Sequence, residues 1–216
     1  MGTACSLAAL CPVHYTSGDV PHATLRLETF PGSWRLIRMD KSTRAAYVRS
    51  LSPETAVHQF GLELHYFVEG KDSDGQLAIV HYVSAPGHEP PPHVHDDEDE
   101  VFYLLEGEMD AYCGDEVFHV RGGECLFLPS GKPHAWLIRT SVLHTLIVTH
   151  PARLDRIFRE TKRHEDEVQA AGGTYRDAYE GDRGKEMLAI AARHGIHVLT
   201  SEQVREQLPS FPSRIS

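Results

Sequence analysis

The sequence predicts a mainly β protein, an antiparallel sandwich or barrel with an arm before it and helices after it. Three observations predict this. From about residue 62, six segments rich in β-branched and aromatic residues follow at short spacing. They are LELHYFVEG, QLAIVHYVSAPG, EVFYLLEGEMDAYCGD, EVFHVRGG, ECLFLPSGKPHAWLI and VLHTLIVTH, punctuated by Gly, Pro or Asp. Such punctuation between short strands is the pattern of antiparallel sheets. After Pro151 the apolar spacing becomes helical, and before residue 61 no comparable run of strands occurs. The expected division is 1–60 as an N-terminal arm with strand and helix elements, 61–150 as the β-barrel and 151–216 as a helical extension.

In the arm, SWRLIRM at 33–39 alternates loosely and reads as one strand. Ser52-Pro53-Glu54 reads as a helix start, with Ser at the cap and Pro in the first turn. In the extension, ARLDRIFRETKRHEDEVQAAGG sets Leu154, Ile157, Phe158 and Thr161 on one face and stops at a Gly pair. GDRGKEMLAIAARHG reads as a second helix with Asp182 as N-cap and Gly195 as the stop. Thr200-Ser201-Glu202-Gln203 has the spacing of a capping box for a short third helix.

The composition, 41% hydrophobic and 24% charged, is that of a globular chain of 216 residues. A net charge of −10 argues against a nucleic-acid surface, and no apolar run is long enough to span a bilayer. The start lacks the basic region of a secretory signal. It matches a short myristoylation pattern at Gly2 and Ser6, beside Cys5, but a frayed terminus is the expectation. Four cysteines make no disulfide framework at this length, which points to a reducing, cytoplasmic setting. Cys113 and Cys125 are expected in the core, and Cys5 and Cys11 could pair if oxidised.

The chemistry gathers in PGHEPPPHVHDDEDEVFYLLEG, residues 86–107. In a strand, His93 and His95 point to one face and can share an ion, although two surface histidines would read the same way. A divalent ion held only by imidazoles keeps its full charge; one carboxylate halves that charge and can accept a proton. Alternation from Glu100 through Phe102 and Leu104 puts Glu100 at the head of an inward face. Asp96, Asp97, Glu98 and Asp99 are then expected in a solvated turn, with Glu98 or Asp99 as weaker alternatives for the ligand. Further on, His134, Trp136 and Ile138 share a face; alone, His134 would be an ordinary structural residue.

The spacing of these residues closely resembles the two motifs of the cupin superfamily. The first runs Gly87, five residues, His93, one residue, His95, four residues, Glu100, six residues, Gly107. The second runs Gly123, five residues, Pro129, one residue, Gly131, two residues, His134, with fifteen residues between the motifs. Ile138 stands where the family often has Asn. The resemblance implies a jelly-roll barrel, the cupin double-stranded β-helix, with His93, His95, Glu100 and His134 gripping one divalent transition ion: Fe, Mn, Co, Ni, Cu or Zn. Over about 62–199 the order of segments is similar to bacterial single-domain cupins assigned as quercetin 2,3-dioxygenase-like, with a late helix at LAIAARHGIHVL.

Three functions follow as expectations from that resemblance. The first is a dioxygenase that opens an enolic or phenolic aromatic substrate with O2, Glu100 taking the substrate proton. The expected walls are Phe102, Leu104, Phe127, Trp136 and Ile138, with Tyr66 supplying a hydroxyl. The second is a non-oxidative metal enzyme: an isomerase, cyclase, dehydratase or decarboxylase. The third is a sensor or storage barrel, against which the full set of four donors argues; nothing reads as a DNA-binding helix pair. A homodimer is expected by resemblance, through sheet edges.

Overall fold

The computed structural model describes residues 25–30, 33–38, 44–170 and 181–212. The chain divides into two compact units, Met1–Ala45 and Ala46–Ser216. In the first, β1 (Leu25–Phe30) and β2 (Ser33–Arg38) form an antiparallel hairpin, the second strand being the one expected from SWRLIRM. Gly2, Cys5 and Cys11 lie outside the described residues.

In the second unit two antiparallel sheets face each other. One has the order β10 (Cys125–Leu128), β7 (Asp99–Glu106), β12 (Leu143–His150), β5 (Ala78–Ser84), β4 (Leu62–Val68), β3 (Val57–Gln59). The other has the order β13 (Ile196–Val198), β6 (His93–His95), β11 (His134–Ile138), β8 (Glu108–Cys113), β9 (Glu116–Arg121). Period-two alternation builds the core between them. Leu64, Val80, Phe102, Leu104 and Ile147 come from one sheet, and Met109, Ala111, Val120, Trp136 and Ile138 from the other. The jelly-roll expectation holds.

Ser52 caps a 3-10 turn at Pro53–Thr55, not a longer helix. The helices follow the expected order: α1 (Leu154–Ala170), α2 (Gly181–Arg193) and α3 (Ser201–Gln207). Leu154 of α1 and Met187 and Ile190 of α2 join the core, with Phe158 packed against it. Asp182 lies inside the first turn of α2 instead of capping it, and Gly195, at φ +77°, ends the segment as expected. The Gly pair after α1 lies outside the described residues. Thr200 and Gln203 form the predicted capping box. Two expectations need correction. Residues 196–198 do not continue a helix: they pair with β6, placing Ile196 opposite His95. Cys125 is exposed, because CLFL turns Leu126 and Leu128 inward and Cys125 and Phe127 outward. Among the described residues no helix is long and apolar enough to cross a membrane.

Candidate metal centre

The donors come from both sheets. β6 presents His93 and His95 on one face, as its alternation requires. β11 is paired to β6 with His134 directly opposite His93. The chain then crosses to the other sheet, and Glu100 enters from β7. Ligand-capable atoms of His93, His95, Glu100 and His134 all lie within 4.8 Å of one another, and all four residues are buried. Motif turns hold this corner. The Gly131 N–H donates to the His95 carbonyl at 2.7 Å, and the Ser130 N–H donates to Asp99 Oδ1 at 2.9 Å.

Hydrogen bonds set which imidazole nitrogen faces inward. His93 Nδ1 is 2.9 Å from the Pro91 carbonyl and His134 Nδ1 is 2.9 Å from the Lys132 carbonyl. A carbonyl only accepts, so each Nδ1 carries the hydrogen and each Nε2 keeps its lone pair. The two Nε2 atoms then stand 3.2 Å apart. Two lone pairs at that distance repel unless a cation lies between them. Two nitrogens bound at about 2.0–2.1 Å to one ion sit roughly 2.8–3.4 Å apart for octahedral to tetrahedral angles, so the separation fits. Glu100 Oε2 is 3.6 Å from His134 Nε2 and, like His95 Nε2, is buried without a hydrogen-bond partner. The three imidazoles and one carboxylate fit a single divalent metal ion.

Burial sets the charges. It holds His93 well below the usual imidazole range, with repulsion from His134 and His95 adding to it. It pushes His134 down to about 4, again with His95 adding. It lifts Glu100 to about 7 against the attraction of His95, with Glu98 adding repulsion. His95 is the exception: burial opposes its charge, yet Glu98 and Glu100 together raise it. Neutral imidazoles are the form that ligates a metal, and a carboxyl near 7 is poised between giving and taking a proton.

Of the four acids before Glu100, Asp96 and Asp97 lie exposed in a bend, as expected, whereas Glu98 is buried and Asp99 opens β7. Asp96 meets His197 at 3.0 Å, Asp97 pairs with Arg153, and Asp99 accepts from Ser130. Glu98 is 2% exposed; its Oε2 lies 3.2 Å from His95 Nδ1 at an angle too poor for a regular hydrogen bond, a close ion-pair contact. Alternation gave the missed signal, since Glu98, Glu100, Phe102 and Leu104 share one parity.

Among the expected walls, Phe102, Leu104, Trp136 and Ile138 are buried in the core. The Trp136 ring meets Phe102 edge-on at 4.9 Å and His93 at 5.8 Å between centroids. Tyr66 packs against the same core, with its hydroxyl buried and unpartnered. Phe127 is corrected: it is 57% exposed on the outer side of β10, and Leu126 and Leu128 face inward in its place. Sequence reading missed Tyr82, whose buried hydroxyl makes no hydrogen bond within ordinary limits, although Ser84 is beside it. Trp136 Nε1 is likewise buried and unpartnered.

Residues 80–149 match the family model described as Cupin domain. This span contains both motifs and all four donors; the chain carries a cupin domain over these residues. Over 100 residues it is 27% identical to quercetin 2,3-dioxygenase of Bacillus subtilis (strain 168), covering 46% of this chain and 30% of that protein. The chain thus spans under a third of the length of that relative. Among solved structures it is similar to TT1209 from Thermus thermophilus, at 27% identity and TM-score 0.36, over 48% of this chain and 90% of that one. It is also similar to the polyketide cyclase RemF from Streptomyces resistomycificus, at 21% identity and TM-score 0.40, over 48% and 80%. KdgF from Halomonas sp. overlays at 18% identity and TM-score 0.40, over 44% and 84%. At these TM-scores the overlays carry no argument about function.

Proposed function

We propose that this chain is a metal-dependent dioxygenase that binds an enolic or phenolic aromatic substrate of flavonol type and opens its ring with O2. His93, His95, Glu100 and His134 would hold the ion. The observation that carries the reading is Glu100: a buried carboxyl whose Oε2 has no hydrogen-bond partner, placed among three imidazoles. When bound, the ion would supply a Lewis-acidic, redox-capable centre for the substrate oxygen and O2. Glu100 takes the acidic proton of the substrate on Oε2. Phe102, Leu104, Trp136 and Ile138 exclude water, which strengthens the attraction of fixed charges for the deprotonated substrate. Tyr82 would offer a hydroxyl, and Trp136 an N–H, to substrate oxygens. The same reading takes the chain to be a homodimer in the cytoplasm; exposed Phe127 and Tyr103 on the outer face of the six-stranded sheet favour a covered surface there.

The test is oxygen uptake on adding a flavonol to protein loaded in turn with Mn, Fe, Co, Ni and Cu. Uptake matched to substrate loss supports the reading. Turnover at equal rate under argon would remove O2 from it and leave a non-oxidative isomerase, cyclase, dehydratase or decarboxylase, for which Glu100 would serve equally as proton shuttle. Glu100→Gln should lower kcat by about 10²–10⁴-fold, the usual contribution of general acid–base catalysis, while losing less of its metal. Retained turnover would refute the base role.

A further inference from the structure

Glu98 lies outside the four-donor set, yet each of its oxygens faces a buried partner, Oε1 by hydrogen bonds and Oε2 by a close contact. Oε1 accepts from the backbone N–H of Arg153 at 2.9 Å and of Leu154 at 3.0 Å, where α1 begins. Oε2 stands 3.2 Å from His95 Nδ1. A carboxylate buried this deeply is costly unless its partners offset the lost water. We propose that Glu98 is a positioning residue: Oε2 fixes His95 with Nε2 bare toward the ion, and Oε1 ties that imidazole to the docked end of α1. The inference rests on the metal-site reading above.

The argument is one of donors and acceptors. His93 and His134 have their Nδ1–H groups fixed by the backbone carbonyls of Pro91 and Lys132. For His95 the facing group is a side chain, Glu98. A carboxylate only accepts, so the nitrogen against it carries the hydrogen and the other keeps its lone pair. Partners of this kind behind metal-bound histidines set ring orientation and ligand basicity. A cation on Nε2 also makes the Nδ1–H a stronger donor to Oε2. Ion binding and the docking of α1 then favour one another, and by linkage the effect runs both ways.

Two variants of the full chain separate these jobs. Glu98→Gln keeps an acceptor oxygen for the α1 amides but presents an NH2 to His95 Nδ1. Two donors cannot face each other, so the imidazole moves its hydrogen to Nε2 and the ligand lone pair is lost. Glu98→Ala removes both functions. The readouts are Co²⁺ affinity by titration and hydrogen exchange of the amides of Arg153 and Leu154 in metal-free protein. Glu98→Gln should bind Co²⁺ about 10–100-fold more weakly than the parent, with the two amides still protected. Glu98→Ala should lose affinity and protection together. Parental affinity in Glu98→Gln would overturn the positioning role and leave the metal-site reading standing. Loss of affinity in Glu98→Gln together with loss of amide protection would mark a merely structural residue and also overturn it. A parent protein that binds no Co²⁺ would overturn both readings.

Discussion

Gly107 shows at the scale of one residue why a motif glycine stands where it does. It sits between β7 and β8 at φ +94°, a region that side chains disfavour. A Cβ there would stand 2.5 Å from the Val142 carbonyl oxygen and 2.7 Å from Thr140 Oγ1. Gly87, at φ +92°, has nothing within 4 Å of that position. Both alanine variants carry the backbone strain, about 1–3 kcal/mol, but only Gly107→Ala also forces backbone apart. The denaturation midpoint should fall clearly further for Gly107→Ala than for Gly87→Ala, and equal losses would contradict the crowding. Local alternation placed His93 and His95 on one face and Glu100 at the head of an inward one, but the set of four, His134 included, was legible only through the motif spacing that resembles the cupins. Glu98 shared that parity and was still set in solvent, because a run of five acids reads as a charge cluster. What its buried position required was partners distant in sequence, at Arg153 and Leu154. Phe127 escaped for another reason. CLFL is apolar at both parities, so alternation could not say which set faces in.

At the scale of elements, the corner between β6 and β7 does two jobs. It carries the chain from one sheet to the other, and it sets the imidazoles of His93 and His95 against the carboxylate of Glu100, with His134 joining from β11. The strands of this corner were legible from turn residues and alternation. The strand β13 was not, because a three-residue strand has too little pattern to outweigh the helix before it. A second histidine group lies on the outer side of the six-stranded sheet, where His65, His81 and His144 neighbour one another across β4, β5 and β12. Ring centroids are 5.7 Å apart for His65–His81 and 5.6 Å for His81–His144. Burial, with repulsion from His144 and His65, holds His81 below its usual range, and Glu63 opposes the shift. The unfolded chain takes up this proton near pH 6.5, whereas the folded chain does so only at lower pH. Below pH 6.5 the unfolded state therefore holds the extra proton, and stability is lost as pH falls. His93 and His134 act with the same sign. Urea unfolding from pH 7.5 to 5 should show a shallower decline for His81→Gln than for the parent, and an unchanged or steeper decline would contradict the assignment.

For the whole molecule, two sheets and a C-terminal extension share one centre. The five-stranded sheet supplies the imidazoles, the six-stranded sheet the carboxylate, and α1 the anchor behind Glu98. The barrel and the order of the helices were legible because each rests on local periodicity. The substrate is not encoded locally: it depends on which buried hydroxyls and rings meet, and Tyr82 emerged only once the strands were paired. The central claim is that these four side chains bind one transition ion. Its most direct measurement is elemental analysis of purified protein after equilibration with Mn, Fe, Co, Ni, Cu or Zn, beside His134→Ala and His93→Ala. One ion per chain in the parent and well under one in both variants is the predicted result. A parent without stoichiometric metal, or variants that retain a full complement, would contradict the account.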